Sequence, residues 1–167
     1  MRIIVAVDEN WNIGADNALL YSIAEDLKRF RRLTAGKTVI MGRKTLESFP
    51  SGKPLPKRRN IVLSHSAEIE GAEMSRTIAQ ARAMVRGETM PYIIGGESIY
   101  RAFLPYCRVA QVTKILQTTE NADAAFPDLD AMAEWRLIKQ SPVQIGLDRN
   151  SGRDVAYQYC TYVRVQW

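Results

Sequence analysis

Histidine and cysteine are scarce in this chain of 167 residues, which contains one histidine, His65, and two cysteines, Cys107 and Cys160. A single histidine excludes a multi-histidine metal site and most catalytic sets that use histidine as the base. The two cysteines are far apart and lack CxxC spacing, so they predict neither a zinc site nor a disulfide framework. We expect both to be small buried thiols, and we expect no bound metal.

The chain also lacks a long hydrophobic run. Its N-terminal run, IIVAV, is too short for a signal peptide or a membrane span, and Asp8 and Glu9 follow it. Apolar residues make up 46% of the chain and charged residues 25%, the usual balance of a globular protein. With no linker, repeat or low-complexity segment, residues 1–167 are expected to form one domain of a cytoplasmic protein that does not bind membranes.

Basic residues outnumber acidic ones by 23 to 18, which gives a formal charge of +5. The excess is concentrated in KRFRR (28–32) and KPLPKRR (53–59). Such runs most often form solvated faces, and we favour that interpretation because no nucleic-acid-binding motif accompanies them. Two more specific interpretations of these runs are nucleic-acid binding and binding of an anionic small ligand. We do not expect nucleic acid as a partner.

Apolar, β-branched runs alternate with helical segments in the first two thirds of the chain. The runs lie at 2–7, 37–41, 59–63 and 92–94. They are continuous, which is typical of parallel strands buried on both faces. Helices are predicted at 23–33, 43–48, 77–86 and 97–103.

After residue 107 the pattern changes to longer strands. CRVAQVTKIL and WRLIKQ each predict a strand, and DRNSGRD contains turn residues. The final segment alternates with period two and places on one face Val155, Tyr157, Tyr159, Thr161, Val163 and Val165. The predicted fold is therefore α/β: a single domain with a central, mostly parallel eight-stranded sheet, an antiparallel C-terminal hairpin and helices on both faces.

In open sheets of this kind, ligands bind beyond the carboxyl ends of the strands. That rule selects five places: Ala6 to Gly14, Gly42 to Thr45, Leu63 to Ser66, Gly95 to Ile99, and Thr113.

Two of these places, VIMGRKT and YIIGGES, have a glycine between a strand and a helix. Glycine lets the backbone approach a ligand closely, and the N–H groups of the following helix suit a phosphate. Neither segment matches a P-loop or GxGxxG. As a pair on one sheet, flanked by Arg43, Lys44 and Thr45, they predict a dinucleotide site with a pyrophosphate between two helix N-termini.

One acidic residue lies where the first predicted helix should be apolar. At about 100° per residue, an apolar arc is formed by Ile23, Leu27, Phe30 and Leu33. Asp26 falls inside this arc. It could complement the helix dipole, with Ser22 as N-cap and Glu25 completing a capping box. It could equally serve a binding site, because unpaired carboxylates are seldom buried without a purpose.

Six motifs follow one another along the chain: IVAVDENWNIGADNALLYSIAEDLKRFRRLT, KTVIMGRKTLESFP, LPKRRNIVLS, IIGGESIY, VTKI and DAAFPD. In order and spacing they resemble the dihydrofolate reductase family, from the first strand to past residue 128. The resemblance implies reduction of 7,8-dihydrofolate to tetrahydrofolate with NADPH as cofactor, by hydride transfer to C6 and protonation at N5.

The resemblance also implies roles for the substrate-site residues. Asp26 would accept hydrogen bonds from N3 and the 2-amino group of the pteridine, Thr113 would bond to Asp26, and Arg58 would pair with the α-carboxylate of the glutamate tail. A water admitted past Leu19 would protonate N5, since no side chain is close enough. The catalytic set is Asp26, Tyr21, Leu19 and Thr113. The substrate-binding set is Val5, Ala6, Leu27, Phe30, Phe49, Leu55, Arg58 and Ile94.

For the cofactor, the resemblance places the nicotinamide near Ala6, Ile13, Gly14 and Leu19. It places the pyrophosphate at Thr45 and the helix start at Gly96–Ile99, and the 2′-phosphate among Arg43, Lys44, Ser64 and His65. Arg76 lines the adenine cleft or serves only as a solvated side chain. The cofactor-binding set is Ala6, Ile13, Gly14, Asn17, Ala18, Leu19, Gly42, Arg43, Lys44, Thr45, Leu63, Ser64, His65, Arg76, Gly95, Gly96, Glu97, Ser98, Ile99 and Tyr100.

The sequence departs from the family at several positions. Tyr21 stands where Trp is usual and Leu20 replaces the preceding Pro, so the bridging water is expected to be held through the phenol hydroxyl and antifolate affinity is expected to differ. Trp11, in the same loop, is interpreted as a surface aromatic, with stacking over the gap at Tyr21 as the alternative. Ala124 stands for Thr, and Ser98 for the Arg of some members, so a loop contact and a phosphate contact are expected to be weaker.

Two other functions fit parts of the sequence. The reductase that acts on a pyrimidine intermediate of riboflavin synthesis shares the fold and cofactor, but Asp26, Leu27, Phe30 and Arg58 look shaped for a pterin with an anionic tail. A basic nucleic-acid-binding module would show salt-sensitive binding that survives Asp26→Asn. The expected protein is a monomeric NADPH-dependent oxidoreductase that binds dihydrofolate and antifolate inhibitors.

Overall fold

A computed structural model of the chain describes residues 1–65 and 68–167, so Ser66, the end of one predicted loop, lies outside the described residues. Over these residues the strands are β1 (Arg2–Val7), β2 (Asn12–Ala15), β3 (Ala18–Leu19), β4 (Thr38–Gly42), β5 (Arg59–Leu63), β6 (Glu73–Ser75), β7 (Tyr92–Gly95), β8 (Val109–Ile115), β9 (Ala124–Ala125), β10 (Trp135–Gln140), β11 (Gln144–Asp148) and β12 (Arg153–Arg164). The helices are α1 (Ala24–Thr34), α2 (Arg43–Ser48), α3 (Ile78–Met84) and α4 (Glu97–Phe103).

The predicted α/β class is confirmed. The main sheet has the strand order β10-β12-β8-β1-β7-β4-β5-β6. Its strands from β8 to β6 are mutually parallel, whereas β12 runs antiparallel to β8, β10 and β11. Eight strands therefore follow one another across the sheet, and β11 adds a ninth because it pairs with the same strand as β10. The β11–β12 pair is the predicted C-terminal hairpin.

The parallel strands are buried on both faces, which explains their continuous apolar runs. On one face, Ile4, Val39 and Ile94 pack with Phe30 and Leu33 of α1 and with Leu46 of α2. On the other, Ile3, Ile40 and Ile93 pack with Ala81 of α3 and Phe103 of α4. Within the described residues, none of the helices is long and apolar enough to cross a membrane.

The prediction of a capping box at the start of α1 is wrong. The N-cap is Ile23, which makes no side-chain capping bond. The Ser22 backbone N–H donates instead to Asp148 Oδ1 at 2.8 Å. Asp148 is buried at the end of β11, before the turn into β12, so a carboxylate of the C-terminal hairpin holds the chain just before the helix.

Both interpretations of Trp11 are also wrong, because its side chain lies in the core. It is 5% exposed and packs against Phe126 and Tyr162, with ring centroids 6.1 Å and 5.8 Å away. The Lys114 ammonium lies 4.8 Å from its ring centroid.

The last strand ends before the alternating pattern does. Val165 lies beyond Arg164 and is 39% exposed, so it is not part of the predicted strand face. Both faces of β12 contribute to packing, because Val155 and Tyr157 join Ile23 in one cluster while Cys160 joins the main core. Cys107 and Cys160 are free and buried, as predicted.

Candidate active site

The parallel strands bring the predicted loops to one edge of the sheet. Ala6 pairs with Thr113, Gly42 pairs with Leu63, and Met41 pairs with Gly95. The segments that follow β1, β4, β5 and β7 therefore leave the sheet at the same edge, where ligands of open α/β sheets bind.

Asp26 projects from the first turn of α1 toward β8. Thr113 Oγ1 donates a hydrogen bond to Asp26 Oδ1 at 2.6 Å. The neighbouring acid, Glu25, is exposed and pairs with Lys28 at 3.3 Å. The side-chain hydrogen bond of Asp26 thus crosses to the sheet, which favours a role in a site over a role in the helix dipole.

Burial raises the pKa of Asp26 above its ordinary value, and the hydrogen bond from Thr113 and the charge of Arg29 oppose that rise. The Asp26 residue is half-buried. A partly buried carboxylate has lost some of the water that would hydrate it. A cationic heterocycle, or one with several N–H donors, can replace that water and is stabilised by the negative charge.

Apolar side chains form the wall beside Asp26. Phe30, Phe49 and Leu55 pack together against a cluster that contains Ile94, and Leu27 lies half-buried on the same helix. This wall presents flat and branched surfaces to a planar ligand. Val5, also predicted to bind substrate, packs its side chain into the core on the α3 and α4 face, so it offers only backbone to this wall.

Arg58 lies at the far end of the wall, and its guanidinium is fixed by two hydrogen bonds. Its Nε donates to Thr34 Oγ1 at 2.9 Å and its Nη1 donates to the Pro56 carbonyl at 3.1 Å. Burial and the charge of Arg31 lower its pKa from the ordinary arginine value. Among the described residues no carboxylate pairs with it, which leaves donors of the guanidinium available to an anionic ligand.

Two positioning residues were missed by the sequence interpretation. Thr34 is fully buried and donates to the Phe30 carbonyl at 2.7 Å while it accepts from Arg58. Asn60, 3% exposed, accepts from the Leu55 N–H and donates to the Leu55 carbonyl, both at 2.9 Å. The available signal was a polar residue inside an apolar run, as in RNIVL.

The two glycine turns lie against each other. A Cβ on Gly42 would come within 3.1 Å of Ile99 Cγ1, and one on Gly96 within 3.4 Å of Thr45 Oγ1. Gly95 has a φ of +126° and the same 3.4 Å approach to Thr45. Side chains at these glycines would fill the space between the starts of α2 and α4, so the turns form a backbone cradle with one hydroxyl in it.

Several residues of the predicted cofactor set have structural partners. Glu97 Oε1 accepts from the Ala125 N–H at 2.7 Å, and the Tyr100 hydroxyl donates to the Ile4 carbonyl at 2.8 Å. Arg43 Nε pairs with Glu47 at 2.7 Å. The side chains of Lys44, His65, Ser98 and Arg76 are exposed near the same edge of the sheet.

Leu19 belongs to a small second sheet, in which β2 pairs with β3 on one side and with β9 on the other. Within it, Ile13 is buried and Gly14 has no room for a side chain, because a Cβ would lie 3.0 Å from the Ala18 carbonyl oxygen. Asn17 sits in the connecting turn with a φ of +60°. Leu19 lies on β3 and is 62% exposed.

Hydrogen bonds tie this loop to the rest of the fold. The Asp16 N–H donates to Asp123 Oδ2 at 2.9 Å, and Asn150 Nδ2 donates to the Leu19 and Leu20 carbonyls at 3.1 Å and 3.2 Å. The Tyr21 hydroxyl is 2.8 Å from Thr119 Oγ1. The phenol that replaces the usual Trp is therefore engaged with a protein hydroxyl.

Comparison with known proteins agrees with this geometry. A sequence model of the family described as Dihydrofolate reductase matches residues 1–164. The dihydrofolate reductase of Neisseria gonorrhoeae is 39% identical over 165 residues, which cover 98% of this chain and 97% of that protein. The enzyme of Haemophilus influenzae is 41% identical over 136 residues, 81% of this chain and 82% of the relative.

A solved structure shares the fold as well. Dihydrofolate reductase from Enterococcus faecalis, complexed with NADP(H) and RAB-propyl, superposes with a TM-score of 0.83 at 28% identity, covering 99% of this chain and 96% of that one. Because the sequence match spans nearly the whole chain and the helix acid, the glycine turns and the strand order are all in place, the chain belongs to the dihydrofolate reductase family.

Proposed function

We propose that this protein catalyses the NADPH-dependent reduction of 7,8-dihydrofolate to tetrahydrofolate. The observation that carries the proposal is the Asp26 carboxylate, held by Thr113 beside an apolar wall that ends at Arg58. A pterin with an anionic tail has the complementary order of groups: an amino-pyrimidine edge, a flat ring system and a carboxylate.

In this proposal Asp26 accepts hydrogen bonds from N3 and the 2-amino group of the pteridine. The bound ring then lies against Leu27 and Phe30, while Phe49 and Leu55 surround the aminobenzoyl group. The negative charge of Asp26 stabilises the pterin cation that forms when N5 is protonated. The family resemblance implies that no side chain is close enough to N5 to protonate it, so in this proposal a water that enters past Leu19 delivers the proton.

The cofactor site fits the chemistry of a dinucleotide phosphate. The cradle of Gly42, Gly95 and Gly96 would place backbone beside the pyrophosphate, with Thr45 Oγ1 as a polar partner. Arg43, Lys44 and His65 would hold the 2′-phosphate and favour NADPH over NADH. When bound, NADPH supplies the hydride, and the chain contributes alignment and exclusion of water.

The direct test is the loss of NADPH absorbance when dihydrofolate is added to the purified protein. We expect steady oxidation that depends on both compounds and is slower when NADH replaces NADPH. The pyrimidine intermediate of riboflavin synthesis serves as the competing substrate. Turnover of that pyrimidine with no turnover of dihydrofolate would contradict the proposal and show that the protein is the reductase of riboflavin synthesis.

We further propose that residues 1–167 act as one domain and as a monomer in the cytoplasm. Light scattering during gel filtration measures the mass, for which one chain corresponds to 18.9 kDa. Cell fractionation measures the location.

Tyr21 is expected to set the affinity for diaminopyrimidine antifolates. Tyr21→Trp removes the hydroxyl that bonds to Thr119 and adds an indole donor, so the inhibition constant should change by at least about threefold, the equivalent of one net hydrogen bond. Tyr21→Phe is the matched control, since it removes the same hydroxyl without adding a donor. Identical inhibition constants for wild type and Tyr21→Trp would contradict the prediction that Tyr21 sets the antifolate affinity.

A further inference from the structure

A cavity of about 360 Å³ lies between α1 and the C-terminal strands. We call it the α1–β12 cavity, and its lining residues are Arg29, Arg32, Leu33, Gln111, Lys139, Ser141, Tyr159 and Thr161. With about 100° between successive residues, Arg29 and Arg32 point to the flank of α1 opposite Leu27. The cavity and the substrate wall share α1, and Leu33 contributes to both, because it lines the cavity and packs against the same cluster as Phe30.

The lining is strongly basic. Three of its side chains are cationic and none is acidic. Among the described residues, Arg29, Arg32 and Lys139 form no salt bridge. By contrast, Lys28 on the same helix pairs with Glu25. Three like charges around one concavity repel one another and lower the free energy of any anion that enters.

One of these cations is held in a fixed orientation. The Arg29 guanidinium lies 3.9 Å from the centroid of the Tyr159 ring and donates from Nη2 to Gln111 Oε1 at 3.2 Å. Thr161 Oγ1 donates to the same oxygen at 3.1 Å. The Gln111 side-chain oxygen therefore already accepts two hydrogen bonds, and its amide N–H groups are the part of this side chain that can donate to an anion. A guanidinium that is already ordered loses little entropy when it binds an anion.

We propose that the α1–β12 cavity binds a small multivalent oxyanion. Arg29, Arg32 and Lys139 supply the charge, and Gln111 supplies a neutral donor. Leu33 and the Tyr159 ring form an apolar side that suits the organic part of a phosphate ester or a polycarboxylate. This site is separate from the proposed 2′-phosphate site at Arg43 and Lys44, which lies on other elements of the fold.

The test is a calorimetric titration of the NADPH-loaded protein with pyrophosphate and, separately, with citrate. NADPH fills the cofactor phosphate site, and salt at about 150 mM screens unspecific surface attraction. We expect saturable binding of at least one anion at one site per chain. The Arg32→Gln/Lys139→Gln double variant should weaken it at least about tenfold, since two charge-assisted contacts are lost.

The matched control is Arg31→Gln/Arg136→Gln, which removes the same charge from the same helix and the same strand at positions outside the cavity lining. It should alter the affinity by less than about twofold, because screened charges outside a site contribute little. Binding of pyrophosphate alone would assign the cavity to phosphate compounds, and binding of citrate alone to polycarboxylates. The absence of saturable binding by both anions, or equal loss in the two double variants, would overturn the proposal.

A second readout locates the anion without reference to catalysis. The side-chain amide resonance of Gln111 should shift during the titration of wild-type protein, with the same midpoint as the calorimetric signal. Titration without that shift would contradict binding in the cavity. Neither measurement depends on dihydrofolate turnover, so failure of this site and failure of the proposed reaction remain distinguishable.

Discussion

Asp26→Asn lowers kcat/KM for dihydrofolate by about 10²- to 10³-fold, the range expected when one preorganised electrostatic group is removed from an active site. The amide keeps the shape of the side chain and still accepts the hydrogen bond from Thr113. It loses the negative charge that, in the proposed mechanism, stabilises the protonated pterin. Steady-state kinetics with NADPH at saturation measure the change.

The loss should be confined to chemistry and pterin binding. The cofactor cradle is built from the turns before α2 and α4, which Asp26 does not contact, so the Kd of NADPH should stay within about twofold of wild type. Glu25→Gln is the matched control: it removes one carboxylate from the adjacent, exposed position on α1 and should leave kcat/KM unchanged. Wild-type activity in Asp26→Asn would refute the proposed mechanism.

The same substitution is expected to stabilise the fold at neutral pH. Burial raises the pKa of Asp26, so between its ordinary value and the raised value the folded protein holds a proton that the unfolded chain has lost. Stability therefore falls as the pH rises through that window, and the ionised carboxylate remains unfavourable above it. Asparagine does not ionise, so this cost disappears.

Thermal unfolding of both proteins over a pH series measures this effect. Asp26→Asn should have the higher Tm at pH 7, and the difference should shrink as the pH is lowered toward the ordinary aspartate pKa of about 3.9. A lower Tm for the variant at pH 7 would mean that the charge stabilises the fold. Asp26 would then be a structural residue rather than one whose charge is retained for binding.

The sequence was sufficient for features that depend on period and order. Continuous apolar runs predicted the parallel strands, and the position of Asp26 within an apolar arc predicted an inward-facing carboxyl. Features that depend on distant partners were not predictable. Ser22 looked like an N-cap because Asp148, which accepts a hydrogen bond from its backbone N–H, lies 126 residues away in the sequence. Trp11 looked exposed because the residues that cover it, Phe126 and Tyr162, are also distant in the sequence.

Short elements were missed for a related reason. β6 and β9 contain three and two residues, too few for any period to appear. Thr34 and Asn60 were passed over because their hydrogen bonds run to Arg58 and Leu55, whose positions depend on the loop between them. The local pattern of apolar residues predicts which face of a helix or strand is buried and the order of the elements along the chain. The partner of a buried polar group depends instead on the assembled fold.

Arg58→Gln raises the KM for dihydrofolate by about 30- to 100-fold and leaves kcat within about threefold. The estimate corresponds to the loss of a bidentate, charge-assisted contact with the α-carboxylate. The tail is remote from C6 and N5, so the contact stabilises the substrate and the transition state equally. Arg136→Gln, which removes the same charge from an exposed position on β10, should change KM by less than about twofold.

A modified substrate separates recognition from loop stability. Dihydrofolate with its α-carboxylate converted to an amide should bind wild type and Arg58→Gln with nearly equal KM, because the ionic partner is absent from both complexes. Arg58→Lys should recover part of the loss, since it keeps the charge without the planar fork that Thr34 and Pro56 orient. An equal increase in KM for the acid and the amide would show instead that Arg58 acts by stiffening the segment around Leu55, which Asn60 already holds.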